Sequence, residues 1–74
     1  MNRFLIDYRN SQGTLMRILT AVSRRGMDFQ EVTALAQGDR HQVRLVLETH
    51  PKQIAQLCRD WRATVDVLEV RQEA

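Results

Sequence analysis

Few residues of this chain have the types and spacing for chemistry, and most of those sit in one segment. Asn10-Ser11-Gln12-Gly13-Thr14-Leu15 sets two amides, two hydroxyls and a glycine just ahead of an amphipathic stretch. Backbone N–H groups at a helix start are open to an anion, Gly13 would let a ligand carboxylate approach closely, and Asn10 could add a side-chain hydrogen bond. The same residues also read as an ordinary cap and loop, with Asn or Ser capping and Gly turning. Cys58 is the sole cysteine, so no paired-cysteine metal site exists, and its place on an apolar helical stripe makes it a small buried hydrophobe. His41 and His50 stand a whole strand apart with no Cys or carboxylate at ligand spacing, and both are expected at solvated strand or loop ends. Asp7 and Asp28 are the carboxylates that meeting strand ends would bring together, but nothing in the pattern encloses them. No nucleophile stands beside a base, so no catalytic residue and no metal ligand is assigned.

Aromatic residues argue against base stacking. An RNA-reading sheet needs two or three rings on its central strands. Here the one Trp, Trp61, falls in the last helical segment, the third strand segment has no Phe, Tyr or Trp, and Phe29 reads as core.

These residues are positioned by six elements. Arg3 to Tyr8 is a strand, because Phe4, Ile6 and Tyr8 alternate with Arg3, Leu5 and Asp7. From Thr14, Leu15, Ile18, Leu19 and Val22 form one apolar helical stripe, closed by Arg24-Arg25 and Gly26. Met27 to Ala36 reads as a second strand whose apolar residues change parity, so a bulge is expected near Gln30-Glu31. Gln37-Gly38-Asp39-Arg40 turns the chain into a hairpin, and His41 to Thr49 follows with Val43, Leu45 and Leu47 alternating. Thr49 or His50 caps a second helix with Pro51 at its first position and Ile54, Leu57, Cys58 and Trp61 on its apolar stripe. Thr64 to Arg71, rich in valine, closes the chain as a last strand. The order βαββαβ predicts an α+β, ferredoxin-like fold: a four-stranded antiparallel sheet with two helices on one face.

Composition bounds what such a domain can be. The 74 residues are 43% hydrophobic and 27% charged, as in an ordinary globular domain, with a net charge of +2. No apolar run exceeds three residues, too short for a bilayer span or a signal peptide, so no membrane and a cytoplasmic location are expected. Basic and acidic residues are interspersed along the chain, which argues against nucleic acid as a partner. A chain this short buries only about 60% of its unfolded surface, and no internal disulfide can staple it, so a second chain is expected to complete the core.

With that element order in hand, three segments carry a resemblance. Asn10-Ser11-Gln12-Gly13-Thr14-Leu15, then Ser23-Arg24-Arg25-Gly26, then Val65-Asp66-Val67-Leu68-Glu69-Val70 resemble the ACT domain of acetolactate synthase (acetohydroxyacid synthase) small subunits. The resemblance covers nearly the whole chain, as one ACT domain over residues 1–74. It is most similar to the short, valine-insensitive isozyme II type, because long small subunits carry a further C-terminal domain.

The resemblance implies a non-catalytic subunit that binds and activates a large catalytic subunit in branched-chain amino-acid biosynthesis. Thiamine diphosphate, magnesium and FAD would belong to that partner, with no cofactor on this chain. It also implies a homodimer formed by side-by-side sheets, with a branched-chain amino-acid effector at the interface. Carried over position by position, the effector contacts are Asn10, Gly13, Thr14 and Leu15, with Asp28 at the start of the second strand facing them from the partner. Gln12 stands where many ACT domains have Pro, Met16 where valine-sensitive members have a small residue, and Asp28 where they have Asn. These departures imply a looser loop, a filled space and a repelling carboxylate, hence weak or absent valine feedback. The alternative is a free-standing ACT-type amino-acid sensor regulating another protein.

Overall fold

The computed structural model describes residues 1–73; Ala74, the end of the expected domain, lies outside them. The elements are β1 (Asn2–Arg9), α1 (Thr14–Ser23), β2 (Phe29–Gln37), β3 (Arg40–Leu47), α2 (Pro51–Arg62) and β4 (Val67–Glu73). The sheet runs β2-β3-β1-β4 with every neighbouring pair antiparallel. This is the expected βαββαβ, ferredoxin-like architecture.

Alternation decides which face is covered. Phe4, Ile6 and Tyr8 of β1 pair in register with Leu45, Val43 and His41 of β3. Their side chains share one face, where the buried residues of both helices meet them: Ile18 and Val22 from α1, and Leu57, Cys58 and Trp61 from α2. Trp61 stacks edge-on against Phe4 with ring centroids 5.1 Å apart and donates its indole N–H to the Ile18 carbonyl at 3.0 Å. One side chain thus ties both helices to the sheet, and a buried indole with a partner costs little.

Helix ends follow their sequence signals. Gly26, at φ 72°, takes the left-handed conformation just past α1, as a terminating glycine should. His50 caps α2, its Nδ1 accepting the Lys52 N–H at 3.3 Å, and Pro51 occupies the first helical position.

Two strand starts differ from expectation by more than one residue, and at the other ends β3 stops at Leu47 rather than Thr49 and β4 runs on to Glu73. β2 starts at Phe29, not Met27, and its register with β3 shifts between Phe29 and Glu31, so the expected bulge is present. β4 starts at Val67, not Thr64. Thr64 to Asp66 form a turn, with Val65 70% exposed and Asp66 at φ 70°. β-branched residues suit a strand, but the Thr64 hydroxyl bonds the Asp60 carbonyl at 2.9 Å and the Thr64 N–H the Trp61 carbonyl at 3.0 Å. These bonds hold the segment to the helix end. Asp7 and Asp28 do not meet: Asp7 faces Gln42 and Glu69, whereas Asp28 precedes Phe29, which pairs with Leu47 at the other end of the sheet.

Candidate effector cleft at the β1–α1 loop

The loop from Asn10 to Gly13 is pinned on both sides by backbone bonds. The Arg9 N–H donates to the Asp66 carbonyl at 2.8 Å and the Asn10 N–H to the Asp39 carbonyl at 3.0 Å. Side chains reinforce one side. Ser11 Oγ donates to Asp66 Oδ2 at 2.5 Å, and Thr14 Oγ1 lies 2.6 Å from Ser11 Oγ. A carboxylate only accepts, so Ser11 commits its one proton to Asp66 and receives that of Thr14. The short relay includes the fully buried Thr14 and ties the loop to the α2–β4 turn. Asp66 occupies the left-handed region to reach it; Asp tolerates that conformation better than most residues.

Gly13 precedes α1 at φ 83° and offers no side-chain cap. The first turn therefore begins with N–H groups that no intrahelical carbonyl can reach, notably those of Leu15 and Met16. They border a cleft of about 530 Å³ lined by Tyr8, Asn10, Ser11, Gln12, Gly13, Leu15, Met16 and His41. That volume is within the range of small-molecule sites. Of the expected site residues, the structure brings Asn10, Gly13 and Leu15 to this cleft and places Thr14 buried beneath it as part of the relay. Asp28 is at the opposite end of the sheet, away from the cleft of its own chain. Met16 stays 64% exposed and forms a wall.

Three neighbours of the cleft were not expected from the sequence. Tyr8 and His41 form its inner wall, their rings edge to face at 5.6 Å. Burial pushes the Tyr8 hydroxyl above its ordinary pKa and keeps it neutral. Arg17 curls back so that its guanidinium lies 3.9 Å from where a Cβ on Gly13 would sit. The four-residue step from Gly13 to Arg17 was a usable signal, because helical side chains lean toward the N-terminus. Register made His41 harder to see: only the Tyr8–His41 pairing across β1 and β3 sets it on the covered face. An arginine, open N–H groups and an amide around a small apolar-walled cleft suit a compact carboxylate-bearing ligand.

No protein-family model matches the chain, and no curated protein sequence matches it. Solved structures do. The ACT domain of a GTP pyrophosphokinase from Chlorobium tepidum superposes with a TM-score of 0.84 at 14% identity, over 97% of this chain and 95% of that one. This chain has the ACT-domain fold. An acetolactate synthase small subunit from Thermotoga maritima superposes on this ACT fold with a TM-score of 0.80 at 16% identity, covering 96% of the chain but 45% of that subunit. The regulatory subunit of aspartate kinase from Thermus thermophilus, ligand-free, gives 0.71 at 12% identity over 99% of the chain and 49% of that subunit. In the ACT fold of this chain the cleft lies between the first strand and the first helix, next to the sheet end formed by the β2–β3 hairpin.

Proposed function

We propose that the chain is a non-catalytic regulatory subunit that pairs with a second copy through β2 and activates the large catalytic subunit of acetolactate synthase. The observation that carries this reading is the cleft: the open first turn of α1, Gly13, Asn10 and Arg17 stand at the sheet end next to an outer strand with no neighbour on its free side. A regulatory site of this kind serves binding alone.

β2 supports the pairing. It is exposed from Gln30 to Gln37, with Val32 43% and Leu35 52% accessible. Antiparallel pairing of two such edges would merge two four-stranded sheets into one of eight. It would also set the start of one β2 beside the end of the other, carrying the partner's Asp28 toward the cleft next to Ala36 and His41. The hydrogen bonds of the loop hold it in place without a Pro at Gln12, but the partner's Asp28 would oppose an incoming carboxylate. The reading therefore includes weak or absent valine feedback in branched-chain amino-acid biosynthesis. Thiamine diphosphate, magnesium and FAD would reside on the large subunit, and the assembly would work in the cytoplasm.

The experiment is acetolactate formation by the large subunit with and without this chain, repeated in excess valine. Activation that valine leaves unchanged is the expected result. Activation reversed by valine would show that Gln12, Met16 and Asp28 do not disable the cleft, and no activation would refute the assignment to this enzyme.

The Arg17 guanidinium beside Gly13 favours a second reading, a free-standing amino-acid sensor, since it adds a cation where a carboxylate would dock. Melting in the presence of each amino acid separates the two, because a ligand of the folded state raises the midpoint by mass action.

A further inference from the structure

Charge on this molecule is segregated by layer. Residues 14–25 and 51–62, which hold the two helices and the α1 terminus, carry Arg17, Arg24, Arg25, Lys52, Arg59 and Arg62 against Asp60 alone, a net of +5. The remainder carries five arginines against eight carboxylates, a net of −3, and the two layers together give the +2 of the chain. A small overall charge therefore conceals a strongly basic helical face.

Between the helices on that face runs a groove of about 920 Å³, next to the α2–β4 turn. Met16, Ala21, Ala63 and Val65 supply its apolar surface, and Met16 and Val65 are 64% and 70% exposed. Arg17, Arg24 and Arg25 line it beside Asp60. That one carboxylate is already engaged by Arg25 at 2.5 Å, while Arg25 Nη1 donates to Gln56 at 3.0 Å. Arg25 Nε is buried in the same region with no acceptor. Among the described residues Arg17 and Arg24 make no ion pair, whereas on the sheet Arg44 meets Glu73 and Arg71 meets Asp7 and Glu69.

We propose that this groove is a docking surface for an acidic segment of a protein partner that also presents aliphatic side chains. The carboxylates of such a segment complement Arg17 and Arg24, and its aliphatic groups cover Met16 and Val65. A second copy of the chain is a poor occupant, because it would bring another net +5 face against this one. Nucleic acid matches the charge but would find no ring to stack on among the residues that line the groove. A bilayer surface needs an outward apolar helix face, and here the apolar stripes of Ile18 with Val22 and of Leu57 with Trp61 are turned inward and buried. The proposal goes beyond the regulatory reading and does not depend on which enzyme the partner is.

The test titrates the full chain, labelled at its methyl groups, with a helical peptide of leucine and glutamate, its leucine–lysine counterpart, and a single-stranded RNA. The Leu/Glu peptide is expected to shift the Met16, Ala21, Ala63 and Val65 methyl resonances, with the other two ligands leaving them in place. Neutralising the rim, Arg17→Gln with Arg24→Gln, should weaken that binding about tenfold, while the same charge removed from the sheet layer, Arg3→Gln with Arg40→Gln, should change it by less than about twofold. No shift with Leu/Glu, an equal response to Leu/Lys or to RNA, or equal weakening by the two double variants would overturn the proposal. The methyl map uses the unaltered protein, so it decides the question even if a variant is unstable.

Discussion

At the scale of single residues, Asp66 does the most for the cleft. It joins the α2–β4 turn to Ser11 and Thr14 while its own backbone carbonyl anchors Arg9. Asp66→Ala removes a charge-assisted bond and sets a residue less tolerant of the left-handed region at φ 70°, and should destabilise the fold by about 2 kcal/mol, measured by urea unfolding. Asp66→Asn tolerates the same backbone and keeps an acceptor, so its loss should be smaller; equal losses would show that the relay is not what Asp66 contributes. Burial raises the Cys58 thiol above its ordinary 9.0, with Arg62 partly opposing, and raises the Tyr8 hydroxyl above 10.0. The folded chain then keeps protons that the unfolded chain releases. Their stabilising contribution is complete below about pH 9 and is lost as pH climbs further. Unfolding midpoints taken between neutral and strongly alkaline pH should hold level and then fall, and a midpoint rising through that window would contradict the burial of both groups. Asn10, Gly13 and Leu15 were legible as site candidates because local sequence sets a helix start. Asp66 was not, since its role depends on a contact 55 positions away in sequence.

At the scale of elements, periodicity was a good guide wherever one face is covered. Both helices and the central strands β1 and β3 stand where their apolar spacing put them, because burial enforces the pattern. Legibility failed at the element that burial does not constrain and at the one that a helix end overrides. β2 has almost no covered face, so its parity change marked the bulge but not where the strand begins. At Thr64 to Asp66, capping of α2 outweighs β propensity. The helix pair depends on Trp61, which is fully buried and bonded to the Ile18 carbonyl. Trp61→Phe keeps an aromatic ring against Phe4 but loses the N–H bond and part of the volume. A loss of about 2 kcal/mol is expected, seen as a melting point lower by roughly 4–8 °C for each kcal/mol in a domain of this size.

At the scale of the whole molecule, the uncovered edge of β2 is an open template for another strand. In the proposed dimer it is paired, so light scattering should return twice the 8.7 kDa of one chain. Val32→Glu with Leu35→Lys should return the single-chain mass while the far-ultraviolet spectrum stays folded; a dimer that persists would place the interface elsewhere. The edge and the basic groove lie on different parts of the fold, so pairing with a copy leaves the helical face open for an acidic partner. The lone indole also makes the protein its own optical gauge. Trp61 is wedged between α1, α2 and the sheet with no solvent contact, so its fluorescence should peak at short wavelength in the folded chain. A ligand that only covers the groove would leave that colour unchanged, whereas one that pries the helices apart would shift the emission to the red. Without any added dye, a cuvette experiment thus distinguishes docking on a rigid helical layer from docking that opens it.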